Sequence, residues 1–433
     1  MRQMKDSGVA WIGEIPEDWS IVKTKQCFDL YSGATPKTDN PSYWDGGIPW
    51  ITPADYKTED KYISFGRRNL SDSGVRSCGT TITPPNSIIF SKRAPIGLVV
   101  LSANNLCTNQ GCIACVPKNV SSLFYYYAMS VFTESYELYG SGTTFKEISA
   151  TNFANFILPL PSLNEQSRIA TFLDQKCAEI DSLISLQEEM ISELQAFKQS
   201  VITEAVTKGL DKNVKMKDSG VEWIGEIPEN WNLLPIRALF TKRNQKNNPI
   251  LSTERLSLSI GVGITKYADK TTNLDRFKDD FTAYQLAYPE DIVLNSMNMI
   301  VGAVGKSAYM GCVSPVYYVI TAKEFVDPNF YGYLLNCARI REAYHSLGRG
   351  IYAIERGEGR VNTCRLKVPY YNFSIIKVPV PSYEEQVKIA SYIKEKMEQI
   401  DSLIALKQQK ITELKDYKKS IIYECVTGKK EVV

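Results

Sequence analysis

A long amphipathic stretch that occurs twice constrains this chain more than any other feature. The first copy runs from Pro159 to Thr207 and the second from Pro379 to Thr427, identical at 23 of 49 positions. Each opens on prolines, which stop a helix extending backwards, and on the Ser-x-x-Glu spacing of a capping box, Ser162 with Glu165 and Ser382 with Glu385. Apolar residues then return every three or four positions: Ile180, Leu183, Ile184, Leu194, Phe197 and Val201 in one copy, Ile400, Leu403, Ile404, Leu414, Tyr417 and Ile421 in the other. This period predicts a helix with a coiled-coil-like stripe. Neither copy has an internal glycine or proline, and Gly209 and Gly428 stand just past the periodic run, where helices favour glycine. Each helix is then about 45 residues, roughly 65 Å at 1.5 Å per residue. A helix so long with one apolar face needs a partner. The spacing predicts that the two copies pair with each other; the alternative is that each stripe packs on its own neighbouring globular segment.

A second repeat frames the first. Residues 4–19 (MKDSGVAWIGEIPEDW) return at 216–231 with 14 of 16 positions identical. The chain therefore reads as two half-chains, each a box, a globular segment and a long helix, divided at 1–158, 159–209, 210–378 and 379–433. Within the globular segments no convincing identity links the copies. Strand-like runs at 87–91, 97–101, 291–294, 299–304 and 316–320, with a helix-like run at 123–132, give each an α+β reading with a mixed or antiparallel sheet. The first helix delivers the chain within about ten residues to the second box, so the second helix must return beside the first, antiparallel, with a pseudo-twofold relation between half-chains.

Composition and motifs exclude several functions. The opening residues have no apolar signal region and no run of 18 apolar residues occurs, which predicts a cytoplasmic protein without a membrane span. Net charge is only +2, so any nucleic-acid affinity must come from local clusters of Lys and Arg. With a single histidine, His345, a histidine triad or multi-histidine metal site is not expected. Cys112-x-x-Cys115 has no second ligand pair at related spacing, and no metal is assigned to it. Gly302 to Ser307 imitates a phosphate-binding loop, but Ile300 stands where its first glycine belongs; it reads as strand and turn. No Asn-Pro-Pro-Tyr/Phe or Asp-Pro-Pro-Tyr tetrapeptide is present, so the usual amino-methyltransferase centre is missing, and no catalytic residue is assigned.

Cations and amides do cluster in loop-like places. In the first segment these are Lys92 with Arg93, Asn109 with Gln110, and the Gly142–Lys146 stretch with Thr143, Thr144 and Lys146. In the second they are Lys242 and Arg243, then Arg349, Arg356 and Arg360. Such residues neutralise phosphates and present the forked donors that read guanine or the amides that read adenine; a solvated charged face is the competing explanation.

Particular motifs then give the chain a family likeness. They are the Ser32-Gly33-Ala34-Thr35-Pro36 turn, the Tyr43–Trp50 run YWDGGIPW, the Thr108–Gly111 element, Gly142-Thr143-Thr144, and the duplicated Pro-x-Pro-Ser-x-x-Glu-Gln entries at 159–166 and 379–386. In this order the chain resembles the specificity subunit of a type I restriction-modification enzyme. The resemblance implies two target recognition domains, each reading half of a split, asymmetric site in double-stranded DNA, on antiparallel helices that set the spacer and dock two methyltransferase subunits. The turn that carries the resemblance adds Thr35, and Lys37 beside it, to the candidate DNA contacts; the second segment departs from the pattern, lacking the Trp-Asp-Gly-Gly-Ile-Pro-Trp run and having Val293–Asn298 instead, and Asn298 there is a candidate in its own right. The resemblance implies that this chain carries no cofactor. S-adenosylmethionine, ATP and Mg, with adenine N6 methylation and cleavage, would belong to the methyltransferase and restriction subunits. The opposing hypothesis is a long-helix assembly protein whose two heads bind other proteins.

Overall fold

In the computed structural model the described residues are 2–432 except 57–59, 94, 142–145, 271–279, 351–354, 357–359 and 362–365. They form two compact units, Met1–Glu188 with Gln408–Val433, and Glu189–Lys407. The duplicated stretches are single helices, Leu163–Lys208 and Tyr383–Val426, of 46 and 44 residues. Both end where glycine was expected to end them, at Gly209 (φ 76°) and Gly428 (φ 72°). Each unit thus holds the start of one helix and the end of the other.

Within each unit the two helix segments run antiparallel. In the first, Gly428 packs on Trp19, which bonds Glu165 at the start of the first helix, while further along Lys418 Nζ lies 2.6 Å from Asp181. In the second, Lys198 Nζ lies 2.5 Å from Asp401, and Met190, lower in number, meets Lys407, higher in number. The two ion pairs are one pair in duplicate: 220 residues separate Asp181 from Asp401 and Lys198 from Lys418.

The apolar stripe divides between its two possible partners. Ile389, Ile393, Met397 and Ile400 are buried with Trp231, Phe330 and Tyr331, so the helix beginning is part of the globular core. The outer edge of the stripe is not covered: Leu183, Phe197, Leu403 and Tyr417 are 48%, 56%, 47% and 53% exposed. Two helices in contact bury only a narrow seam, and residues flanking the seam stay open.

The capping boxes form only by half. Ser162 Oγ and Ser382 Oγ accept from the backbone N–H groups of Glu165 and Glu385 at 3.3 Å. The glutamates do not reach back. Instead Glu165 takes the Trp19 indole N–H at 2.8 Å together with Arg2, and Glu385 takes that of Trp231 at 3.0 Å. A buried indole N–H needs an acceptor, and the carboxylate supplies a charged one. The neighbouring glutamines complete the joint: Gln166 donates to Pro161 O and accepts from Ser121 N, while Gln386 donates to Pro381 O and accepts from Asp327 N. Ser121 and Asp327 are the N-caps of the globular helices Ser122–Ser130 and Pro328–Leu334. The repeated Glu-Gln is therefore a socket that fixes each globular segment to its helix.

The segments share a fold that their identities do not reveal. The first unit has a five-stranded sheet in the order Phe28–Ser32, Cys112–Pro117, Ile88–Ser91, Val99–Ser102, Tyr62–Ile63, antiparallel except for the last pair. The second unit repeats the first four places as Phe240–Lys242, Tyr317–Ala322, Ile292–Asn295 and Val304–Lys306. One expected strand is wrong: Met299–Val301 is a short 3-10 turn, and pairing starts only at Val304. Gly302, at φ 94°, reverses the chain between them. The false phosphate loop is thus turn and strand, with Lys306 paired to Glu290 at 2.7 Å.

Candidate nucleic-acid interface

The first unit carries a second, smaller sheet, ordered Cys107–Thr108, Trp44–Ile51, Arg68–Leu70. Its two tryptophans hold the turn that precedes it. Trp50 Nε1 donates to Ala34 O at 3.0 Å and Trp44 Nε1 to Lys37 O at 3.2 Å, and the rings meet edge to face at 5.2 Å. On the other flank Ala34 N bonds Thr108 O at 3.0 Å, an approach so close that a Cβ on Gly33 would lie 2.2 Å from that oxygen. Thr35 Oγ1 consequently donates to Gln110 Oε1. Thr35, Lys37, Asn109 and Gln110 therefore share one surface, with Lys37 and Gln110 exposed. Asn109 is partly committed, since its Oδ1 accepts from Gly111 N at 2.9 Å.

Lys92 and Arg93 adjoin this surface, because Lys92 N bonds Gly111 O at 2.9 Å. Both cations meet Glu147, Lys92 at 3.0 Å and Arg93 at 2.7 Å. Burial opposes the charge on Glu147, but hydrogen bonds from Arg93 and Lys92 outweigh it and hold the carboxyl below its usual range. One carboxylate between two cations leaves a net positive spot. Lys146 is exposed beside it, whereas Thr143 and Thr144 lie outside the described residues.

In the second unit, Lys242 Nζ sits over the rings of Tyr370 and Tyr318 at 4.7 and 5.7 Å. Tyr318 donates to Val368 O, Val368 N bonds Ser296 O, and Arg349 and Lys367 exchange backbone hydrogen bonds. This links Lys242, exposed Arg349, exposed Lys367 and the loop carrying exposed Asn298. Arg243 has another duty: its Nε and Nη2 donate to the buried Asp291 carboxylate at 2.7 and 3.0 Å. Arg356 and Arg360 belong to paired strands Glu355–Arg356 and Arg360–Val361, and their side chains lie outside the described residues.

Sequence reasoning passed over two exposed cations. Lys367 carried no recognisable motif. Arg68, whose guanidinium carbon lies 3.6 Å from the Trp44 ring centroid, could have been found only by knowing that its strand pairs with Trp44–Ile51. The cysteine pair is drawn into the core: burial pushes the Cys112 thiol up to about 12, and Cys115 is raised by the same cause.

Residues 16–196 match the family model described as "Type I restriction modification DNA specificity domain". The type I restriction enzyme MjaIX specificity subunit of Methanocaldococcus jannaschii is 38% identical over 206 residues, 47% of this chain and 45% of that protein. The chain thus aligns with about half the length of that relative. The MjaVIII specificity subunit of the same organism aligns along 96% of this chain and 93% of its own length, at 22% identity. The chain is thus similar to the specificity subunits of type I restriction enzymes, through a matching domain over residues 16–196 and along nearly its whole length at lower identity. The HsdS subunit from Thermoanaerobacter tengcongensis shares the fold at a TM-score of 0.54 and 15% identity, covering 96% of this chain and 98% of that one. A chain solved in work on complex assembly and conformational transition of the type I R-M system reaches 0.69, also at 15%, covering 95% and 98%. No helix among the described residues is long and apolar enough to cross a membrane.

Proposed function

We propose that this chain is the DNA-sequence reader of a type I restriction-modification complex. Residues 1–158 and 210–378 act as target recognition domains, each reading one half of a bipartite asymmetric site in double-stranded DNA. The helices at 159–209 and 379–433 set the spacer. One observation carries this reading: the same strand order is mounted through the same Trp–Glu–Gln socket in both units, while the exposed cations and amides differ between them. A constant frame with two unlike polar surfaces suits reading two unlike half-sites. Two protein-binding heads would not require exposed amides beside cations held against aromatic rings.

The chain itself does no chemistry in this reading. Methylation of adenine N6 with S-adenosylmethionine belongs to two methyltransferase subunits, and ATP- and Mg-dependent cleavage to restriction subunits, all acting in the cytoplasm. The half-exposed Leu183, Leu186 and Tyr417 of the first unit, and their counterparts Leu403, Leu406 and Phe197 of the second, support docking of two equivalent partners. The test is a gel-shift titration of the full chain with and without its methyltransferase partner, followed by mapping of methylated adenines. Sequence-specific retardation and methylation at a split site are expected. Binding indifferent to sequence with the partner present would overturn the reading.

A further inference from the structure

We infer that Arg68 reads a guanine in the half-site of the first domain, an inference that rests on the DNA-reading function proposed above. Arg68 is exposed, and no ion pair among the described residues takes it, although its neighbour Arg67 pairs with Asp55 at 3.6 Å. Its guanidinium nevertheless has a fixed place, stacked 3.6 Å from the Trp44 centroid. Trp44 is itself held by its bond to Lys37 O and its contact with Trp50, and Arg68 stands opposite Trp50 in the strand ladder. The fork is therefore oriented from the same two indoles that hold the Thr35–Lys37 turn.

A phosphate contact requires only charge, which an exposed lysine such as Lys37 supplies. A planar fork held on an aromatic face suits a planar pair of acceptors, and in the major groove guanine O6 and N7 are that pair. Stacking also lowers the ordering cost of the long side chain on binding. Thr35 and Gln110 then contact positions adjacent to the guanine.

The experiment uses the full chain with its methyltransferase partner on its mapped site, and on the same site carrying 7-deazaguanine, which pairs normally but lacks N7, at each first-half guanine in turn. Wild type is expected to lose affinity at one guanine. Arg68→Ala should bind the natural site roughly 5- to 150-fold more weakly and be indifferent to 7-deazaguanine there. Arg68→Lys, which keeps the charge and the stem, should not restore the discrimination. Three results would overturn the inference: a first half-site without guanine, an Arg68→Ala variant that still discriminates 7-deazaguanine, or a loss equal on all sequences that lysine rescues. Absence of sequence-specific binding by the wild type would instead refute the underlying function.

Discussion

If the helices are the ruler between half-sites, lengthening both by the same amount should lengthen the spacer and leave the half-sites unchanged. The ion-pair rungs determine how this can be done. Asp181 and Lys198 lie 17 residues apart on the first helix, and Asp401 and Lys418 lie 17 apart on the second. Four residues inserted after Leu186 and four after Leu406 make both separations 21, so Asp181 can still meet Lys418 and Lys198 can still meet Asp401. Four residues are about 6 Å of helix and close to one turn, which nearly preserves the facing of each helix. At about 3.4 Å per base pair that is nearly two base pairs. The expected result is a methylated site whose spacer is one or two base pairs longer, read by mapping methylated adenines in DNA from cells expressing the variant with its partner. Insertion in one helix alone offsets the rungs by four residues and should lower activity without producing a new spacer. An active double-insertion variant that keeps the original spacer would refute the ruler.

The sockets and surfaces allow further tests. Trp19→Phe removes a buried N–H donor from Glu165 and should cost about 2 kcal/mol in urea unfolding of the full chain, with a similar loss for Trp231→Phe at Glu385. Unchanged midpoints would mean that the socket is not structural. Glu147→Gln releases Lys92 and Arg93, so it should tighten binding to all DNA sequences and steepen the salt dependence by up to about one phosphate contact; lower affinity would show that the carboxylate orients these cations. Because the folded Glu147 pKa is depressed, the trio's contribution is present above the ordinary value of 4.5 and is lost as pH falls through the lower folded value. Leu406→Asp alters one half-exposed apolar surface and should leave unfolding unchanged while reducing bound methyltransferase subunits from two to one by light scattering; retention of both would remove that surface as a dock.

The helices and their repeat were legible because periodicity, the Ser cap and the terminal glycine act locally, within a few residues of sequence. The other half of each capping box was not, because what Glu165 bonds was decided by Trp19, 146 residues away. Strands such as Ile88–Ser91 and Tyr317–Ala322 announced themselves by continuous apolar runs, yet their common order in the two units could not be read once the identities had drifted. Candidate site residues divide the same way. Thr35 and Gln110 lie 75 positions apart, and only the closure of Gly33 on Thr108 makes them neighbours. Arg243 looked as available as Lys242 from its neighbours in sequence, and both lie over tyrosine rings, but the fold places the Asp291 carboxylate against Arg243 alone among the described residues. A positive residue type marks where DNA could be met. Whether its donors remain free is decided by tertiary contacts, so in both domains the cations stacked on aromatic rings without a carboxylate among the described residues are stronger candidates than those found by charge density alone.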